Sequence, residues 1–346
     1  MDTKIAGIIF LFIIITACST QPKLDDKNYD LSGTSIFSFV QYEGTLYTST
    51  SKGLYRKEKT DKFWTSLGLQ EKKVLDVVFI PGGDMVALVR INDFSGGIPS
   101  LYLSKNGGQS WRPYMNNFGG KSGKYTKIGS IVAASQPSDT LLAFGASIAR
   151  SVNAGKSWEL IAGDWNAWGG SSGLLVRDPY HPCHLWGGGT SAILTPILVK
   201  SEDCGGTWRG IQALKDIESI TRDVVVKPTN ADVVLVGFTS SVATGNVIRK
   251  SIDRGKHWFT VLDSTGVFAL EQSVRDPVTV YAAGGNRTGR LFFYLSPDFG
   301  KSWKMVKIAS EENDFRVNDI ISIMKNDREV LYLGTNKGIY SYTFER

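Results

Sequence analysis

The fold of this chain is decided by the stretch Ser251-Ile252-Asp253-Arg254-Gly255-Lys256-His257-Trp258, because its pattern recurs along the sequence. Five segments share the form Ser-x-Asp/Asn-x-Gly-x-x-Trp, and a sixth keeps only the tryptophan, Trp64. The six tryptophans form a column with intervals of 45 to 50 residues, and a period of that length predicts a repeat architecture. The repeated positions of the five complete copies are Ser104, Asn106, Gly108 and Trp111; Ser151, Asn153, Gly155 and Trp158; Ser201, Asp203, Gly205 and Trp208; Ser251, Asp253, Gly255 and Trp258; and Ser296, Asp298, Gly300 and Trp303.

The residue types of this repeat have physical reasons. Ser and Asp side chains accept hydrogen bonds from nearby backbone N–H groups and thereby close a tight turn. The Gly adopts a positive φ that other residues resist, and the Trp offers a large apolar face for packing between sheets. Copies of the repeat lie among four short apolar runs separated by turn residues, as between Ile128 and Ile161. Four short strands per repeat predict the blade of a β-propeller.

The number of repeats predicts one all-β domain over residues 34–346. We expect a single seven-bladed β-propeller of four-stranded antiparallel blades, in which the repeated segment is the turn between the third and fourth strands. The last repeat has only three strands, so a segment within residues 22–33 is expected to supply the fourth and cover an exposed sheet edge. The first strands of the seven blades are expected near Ser35, Asp76, Ser130, Gly173, Asp223, Phe268 and Asp319.

Residues 1–17 have the features of a signal peptide. The apolar run from Ile5 to Ile15 is too short to span a membrane, and it follows a short start that contains one Lys. The small residues before Cys18 resemble a bacterial lipobox, which implies that Cys18 is acylated and becomes the first residue of the mature protein. The alternative is an ordinary signal peptide in which the Cys occurs by chance. Ser19 follows the Cys, which favours the outer membrane in a cell with two membranes. Residues 18–33 are then the lipidated Cys and a polar tether.

Composition excludes some classes of function but does not identify the function. The chain has 346 residues, of which 42% are hydrophobic, and a formal net charge of +6, so it can form a large core and is only mildly basic. This balance is not a nucleic-acid footprint, and no nucleic-acid partner is predicted. Because the sequence contains no Gly-rich phosphate loop, nucleophile elbow or Cys-x-x-Cys pair, no cofactor is predicted.

The repeats resemble the Asp-box, or BNR, repeats of sialidases, sortilin-like receptors, xyloglucan-degrading glycosidases and a lipid-anchored photosystem assembly factor of cyanobacteria. The resemblance covers residues 34–346 and implies the propeller fold, but such blades carry unrelated activities. It also implies that the repeated residues are structural and lie on the face away from the usual active site. Sialidases usually have an Arg-Ile-Pro segment near the first strand, whereas the stretch from Thr34 to Tyr55 contains no Arg, which argues against a sialidase.

Function is therefore expected on the other face, around the mouth of the central channel. Asp76, Asp223 and Asp319 begin three of the first strands, and Arg222 and Asn318 precede two of these residues. Three carboxylates around a channel mouth can bind a cation or a polyol, or act as acid and base. Alternatively, these short polar side chains only accept hydrogen bonds from the first amides of their strands.

A second candidate site comes from tryptophans outside the column. Trp165 and Trp168 lie in a connection on the same face, and Asp164 and Asn166 are next to them. Exposed Trp rings beside polar side chains suit the binding of a sugar, which needs an apolar face and hydrogen-bonding groups. The alternative is that these rings fill the gap between two blades.

Cys183 and Cys204 are both expected at one end of blade four. An exported protein occupies a compartment where disulfides persist, so the two can pair, and two separate thiols are the alternative. His181 and His184 flank Cys183, but they lie on the face opposite the candidate sites and have few carboxylates nearby. No metal site is predicted from them.

The function predicted from these observations is non-enzymatic. The chain is expected to be an exported binding or assembly protein, held at the cell envelope by acylated Cys18, with its loop face presented to a protein or glycan. The alternative is a glycoside hydrolase, which needs two carboxylates about 5–10 Å apart in an open cleft. Its candidate catalytic residues are Asp76, Asp164, Asp223 and Asp319.

Overall fold

The chain folds into seven four-stranded antiparallel sheets, and each sheet is one blade of a seven-bladed β-propeller, as predicted. Four strands that are consecutive in sequence form each of six blades, and the seventh combines both ends of the domain. The computed structural model describes residues 29–91, 98–114, 118, 128–135, 138–145, 147–162, 173–178, 180–181, 183–191, 193–215, 218–240, 246–263, 266–285, 291–306 and 316–343.

The strands are numbered in chain order, and within each blade they run from the central channel outward. Strand β1 is Tyr29–Asp30; blade one is β2 to β5 (Ile36–Tyr42, Thr45–Thr50, Gly53–Lys57, Thr65–Ser66); blade two is β6 to β9 (Lys73–Phe79, Met85–Ile91, Ile98–Ser104, Arg112–Pro113); blade three is β10 to β13 (Ile128–Ala133, Leu141–Gly145, Ile148–Ser151, Glu159–Ala162); blade four is β14 to β17 (Leu174–Arg177, Leu185–Thr190, Pro196–Ser201, Arg209–Gly210); blade five is β18 to β21 (Ile220–Val226, Val234–Thr239, Ile248–Ser251, Phe259–Leu262); blade six is β22 to β25 (Val267–Gln272, Val280–Gly285, Leu291–Ser296, Lys304–Val306); and blade seven is β26 to β28 (Val317–Lys325, Arg328–Thr335, Ile339–Thr343) with β1.

The hydrophobic core is divided into seven clusters, one at each contact between neighbouring blades. Each tryptophan of the column lies in a different cluster, the one that its blade shares with the preceding blade. Between blades six and seven, Tyr281, Phe293 and Tyr342 take this place. Burial of a large apolar side chain contributes about 1.5–3 kcal/mol, so the tryptophan column stabilises the ring of blades.

The turns between third and fourth strands share one hydrogen-bond pattern. In blade five, the buried Ser251 hydroxyl accepts from the Gly255 N–H (2.8 Å) and donates to Asp253 Oδ1 (2.9 Å). Asp253 Oδ1 accepts from the His257 N–H (2.9 Å), and the Trp258 indole donates to the Gly255 carbonyl (3.0 Å). Blades two, three, four and six repeat the serine and aspartate or asparagine bonds. These side chains hold the turns, which define what we call the repeat-turn face.

The ring is closed by pairing the two ends of the domain. Strand β1 lies antiparallel to β28, with Tyr29 opposite Tyr340 and Asp30 opposite Ile339. This strand falls within residues 22–33, where the sequence analysis expected a fourth strand for the last blade. The Asp30 carboxylate also accepts a hydrogen bond from the Lys57 ammonium of blade one (3.0 Å), and the Lys57 side chain is only 9% exposed. Closure therefore combines backbone pairing with an ion pair to the neighbouring blade.

Residues 1–28 lie outside the described residues, so the signal peptide, the acylation of Cys18 and most of the tether remain predictions. In the part of the chain that the structure describes, we find no helix with the length and apolar character needed to cross a membrane.

Candidate functional site

The first strands of the seven blades surround a central channel, which forms a cavity of about 960 Å³ lined by residues of every blade. Ligand-binding cavities commonly have volumes of about 300–1,000 Å³. First strands begin where the connections between blades arrive, on the face opposite the repeat-turn face. The channel opening on that side is called the entry mouth.

Near the entry mouth, the first strands of six blades shift register against their second strands. Each shift leaves one extra residue in the first strand, and a β-bulge of this kind re-aims a side chain. All six extra residues line the channel, and we call them the bulge ring: Phe37, Leu75, Gly129, Arg222, Phe268 and Asn318.

The bulges correct the predicted alignment of the first strands. Ser35, Gly173 and Phe268 were predicted to lie in register with Asp76. The structure places Ser38 and Ala269 at this position, directly after the bulge, and pairing with the second strand places Leu174 there in blade four. The prediction is therefore wrong for three blades, by three residues in blade one (Ser35 against Ser38) and by one residue in blades four and six. A bulge requires no particular residue type, so the sequence does not mark the correct register.

Two cations of the entry mouth lie over aromatic rings. The Arg222 guanidinium lies 5.0 Å from the ring centre of Phe268, and the Lys73 ammonium lies 5.2 Å from that of Phe37. Arg222 Nε donates to Thr239 Oγ1 (2.7 Å). Burial, with a smaller effect of nearby Arg316, lowers the pKa of Arg222 to about 10, so it stays charged at neutral pH. Such partly desolvated cations attract anionic groups more strongly than cations in bulk water do.

Below the bulge ring, carboxylates connect the first strands of four blades to the next blade. Asp76 of blade two accepts four hydrogen bonds, from the Val77 N–H (3.1 Å), Ser38 Oγ (3.2 Å), Ser130 Oγ (3.2 Å) and the Ile131 N–H (3.3 Å). These bonds join blade two to blades one and three. Four acceptor sites are all that a carboxylate offers, so Asp76 has no lone pair left for a ligand.

Three further carboxylates make the same kind of connection. Asp223 accepts from the Leu270 N–H of the next blade (2.8 Å), and Asp319 accepts from the Phe39 N–H across the ring closure (2.6 Å). Glu271 of blade six accepts from the Ser322 N–H of blade seven (2.9 Å). Glu271 was not among the predicted site residues, because it lies in the interior of a first strand and no repeat motif marks it.

Burial raises the pKa of all four of these carboxyl groups. It raises the pKa of Asp76 to about 6 and that of Asp223 to about 7. The pKa values of Glu271 and Asp319 lie well above the ordinary range, because repulsion between the carboxylates adds to the effect of burial. The channel therefore holds protons near neutral pH and carries less negative charge than its residue types suggest.

The structure brings some of the predicted site residues together. Arg222 and Asn318 both belong to the bulge ring, and Asn318 Nδ2 donates to the Ile36 carbonyl (2.7 Å). The predicted catalytic candidates Asp76, Asp223 and Asp319 all line the same channel. The second candidate site lies outside the described residues, and it comprises Asp164, Trp165, Asn166 and Trp168.

On the repeat-turn face, a disulfide between Cys183 and Cys204 joins the turn after β14 to the repeat turn of blade four. The same turn contains His181 and His184, whose rings stack with centres 4.9 Å apart. Few carboxylates were predicted near these histidines, but Asp178 Oδ2 lies 3.1 Å from His181 Nδ1. The fold thus places a carboxylate beside the histidine pair.

Neither a protein-family model nor a curated protein sequence matches this chain. By fold it is similar to a GH74 enzyme of Niastella koreensis, with a TM-score of 0.66 and 13% identity over 90% of this chain and 52% of the enzyme. It is also similar to YCF48 bound to a D1 peptide, with a TM-score of 0.63 and 15% identity over 94% of this chain and 100% of YCF48. The extracellular domain of BT4673 from B. thetaiotaomicron gives a TM-score of 0.63 and 11% identity, over 94% and 40% of the two chains.

These similarities show the fold class. The chain is a seven-bladed β-propeller, a class whose solved members include both a glycoside hydrolase and a protein with a bound peptide. It spans about half the length of the GH74 enzyme that it resembles, 52%. At these identities, the likeness gives the fold and leaves the activity to be argued from the site.

Proposed function

We propose that this protein is a non-enzymatic binding or assembly protein of the cell envelope, and that its entry mouth binds an anionic segment of a protein or glycan. The observation that carries the proposal is the pairing of cations with aromatic rings at the mouth. Arg222 over Phe268 and Lys73 over Phe37 offer positive charge next to flat apolar surfaces. Carboxylate groups with apolar neighbours fit such a surface, because charge and ring faces are satisfied together.

The electrostatics of the mouth support an anionic ligand. Among the described residues, no carboxylate lies within ion-pair distance of Arg222, whose side chain bonds to the Thr239 hydroxyl. The carboxyl groups deeper in the channel have raised pKa values, which weakens the repulsion that an incoming anion would otherwise meet. A ligand carboxylate at the mouth would then pair with Arg222 and Lys73.

The path of the chain also supports an entry mouth that faces away from the membrane, where a partner can reach it. Strand β1 takes the place of a fourth strand in blade seven, and fourth strands run from the repeat-turn face towards the entry mouth. The polar tether that precedes β1 in sequence therefore joins the domain at the repeat-turn face. If acylated Cys18 anchors the protein, as its sequence predicts, that face lies towards the membrane and the entry mouth faces away from it. The outer membrane is the proposed location, because Ser19 follows the Cys.

The alternative function, that of a glycoside hydrolase, has weaker support. Glycosidases need two carboxyl groups with different protonation states, one acid and one ionised partner. The four described channel carboxyls all accept hydrogen bonds from the neighbouring blade, and the acceptor sites of Asp76 are all occupied. Their arrangement suits a structural role in the channel wall better than the separate acid and base or nucleophile roles that hydrolysis requires.

A capture experiment with charge reversal tests the binding function. Tagged, lipidated protein is used to capture partners from detergent-solubilised envelope and to probe a glycan array, with Lys73→Glu/Arg222→Glu as the test variant. We expect this variant to lose at least about a hundredfold in affinity for the captured partner, since like charges at a contact cost several kcal/mol. The matched control is Lys156→Glu/Lys256→Glu, which makes the same change of net charge in exposed repeat turns.

Equal capture by the two double variants would contradict a role for the entry mouth. Release of reducing sugar from a glycan by the wild type, abolished in Asp223→Asn, would contradict a non-enzymatic function. The mass of the purified protein tests the anchor, because acylated Cys18 must be its first residue; an unmodified Cys18 would contradict the envelope attachment.

A further inference from the structure

Three potential metal ligands come together in the turn between β14 and β15, on the repeat-turn face. Asp178, His181 and His184 each offer a ligand atom, and these atoms all lie within 4.8 Å of one another. Two imidazole nitrogens and one carboxylate oxygen are a ligand set that divalent transition-metal ions use in proteins, with further positions left to water. The group lies on the opposite side of the domain from the entry mouth.

The Asp178 carboxylate is held in place by the turn. Its side chain is 2% exposed, and Oδ1 accepts from the N–H groups of Tyr180 (2.8 Å) and His181 (3.2 Å). Oδ2 remains directed at His181 Nδ1 (3.1 Å). One oxygen therefore fixes the carboxylate, and the other contacts the imidazole of His181, which it can orient as a ligand when both groups bind a cation.

His184 supplies the observation that points to a ligand. Its Nδ1 is buried and has no hydrogen-bond partner among the described residues. A buried polar atom without a partner costs about 1–3 kcal/mol, and coordination would remove this cost. The backbone around it is well fixed, because His184 N–H donates to the His181 carbonyl (2.8 Å), its own carbonyl accepts from Asp178 N–H (2.9 Å), and the Cys183 disulfide is adjacent.

We propose that Asp178, His181 and His184 form a binding site for a divalent transition-metal ion, with Zn²⁺ as the probe. Ligand atoms around tetrahedral zinc lie about 3.3 Å apart, given metal–ligand distances of about 2.0–2.1 Å. The present spread of up to 4.8 Å must narrow when a metal binds, and His181, whose side chain is 45% exposed, is less confined than Asp178, whose side chain is 2% exposed. The exposed side of His181 also leaves an open coordination position towards solvent.

The charges around this turn permit a cation. The positive charge of Lys200 acts on His184, and the Lys200 ammonium is paired with the Glu202 carboxylate (2.5 Å). Glu202 also lies 3.7 Å from the guanidinium of Arg209. When the two imidazoles bind as neutral ligands, the Asp178 carboxylate gives the ligand set one negative charge, which favours a cation, and the imidazole nitrogens favour a divalent transition-metal ion over Mg²⁺ or Ca²⁺.

The chain provides a matched control for this proposal. It contains three histidines, and the third, His257, is 89% exposed and bonds to Asp253 in a repeat turn (2.6 Å). His257→Ala therefore removes a histidine next to a carboxylate without touching the proposed site. Calorimetric titration of Zn²⁺ is carried out on protein freed of any histidine tag and treated with a chelator, for the wild type, His181→Ala, His184→Ala and His257→Ala.

We expect one Zn²⁺ per chain for the wild type and His257→Ala, and affinity at least about tenfold lower for His181→Ala and His184→Ala. Thermal unfolding of each apo variant shows whether it is folded, and Zn²⁺ should raise the melting temperature only where the site is intact. His181→Ala keeps the buried residues of the turn, so it is the variant to rely on if His184→Ala unfolds. Absence of saturable binding by the wild type, equal affinity in His181→Ala, or loss of binding in His257→Ala alone would overturn the proposal.

Discussion

Gly173→Ala is expected to destabilise the protein by about 3–5 kcal/mol, at the upper end of what single substitutions do. A Cβ at residue 173 would lie 2.1 Å from the carbonyl oxygen of Phe144 and 2.9 Å from the amide nitrogen of Ser130. Both neighbours are backbone atoms of blade three, so no side-chain rotation relieves the clash and the two blades must separate. Because Gly173 lines the channel, the same change would also distort the candidate site.

Urea unfolding followed by tryptophan fluorescence measures this effect, because the tryptophan column reports on the contacts between blades. Gly284→Ala is an independent second case, since its Cβ would lie 1.7 Å from the Gly266 carbonyl oxygen. The control is Gly210→Ala, where a Cβ meets no atom within 4 Å. If Gly173→Ala and Gly210→Ala unfold at the same urea concentration, the close backbone approach between blades three and four is wrong.

Asp30→Ala is expected to cost about 3 kcal/mol, because it leaves the Lys57 ammonium buried without a carboxylate. The Lys57 side chain is 9% exposed, and its remaining hydrogen bond goes to the Lys62 carbonyl (2.9 Å). Asp30 belongs to β1, so the ion pair holds the closing strand against blade one. Its loss should loosen the strand that joins the two ends of the domain.

A double variant separates the cost of leaving the Lys57 ammonium unpaired from the cost of losing the contact between Asp30 and blade one. Asp30→Ala/Lys57→Met removes the unpaired ammonium, so it should be more stable than Asp30→Ala alone. As a control, Asp232→Ala breaks an ion pair with Arg254 in which both side chains are at least 40% exposed, and about 1 kcal/mol or less is expected. Equal urea midpoints for Asp30→Ala and Asp232→Ala would contradict closure of the ring through β1.

The fold was predictable from the sequence because the residues of the repeat stabilise their own turn through local hydrogen bonds. Ser251, Asp253 and Gly255 form hydrogen bonds within a few residues, so the turn can be recognised without knowing the rest of the structure. The tryptophan spacing then sets the blade length, and the missing fourth strand of the last repeat indicates how the ring closes. The turn, the blade length and the ring closure thus follow from local geometry, the residue spacing and the number of strands in each repeat.

The site was less predictable because it depends on contacts between distant residues. The bulge that exposes Phe268 to the channel adds a residue without requiring a particular residue type, so the alignment failed there. Glu271 bonds to the Ser322 amide of the next blade, and nothing in its own sequence neighbourhood indicates this partner. Asp178 and His184 are brought together by the backbone of a turn, which spacing alone does not define.

The most direct test of the central claim asks which face of the propeller contacts a partner in the native envelope. A photo-crosslinking amino acid is placed at residue 268, in the bulge ring, and separately at residue 252, where Ile252 is 60% exposed on the repeat-turn face. We predict a specific crosslinked species from position 268, lost when Lys73→Glu/Arg222→Glu is added, and no such species from position 252. Crosslinking from position 252 alone, or an unchanged adduct in the charge-reversal background, would contradict binding at the entry mouth.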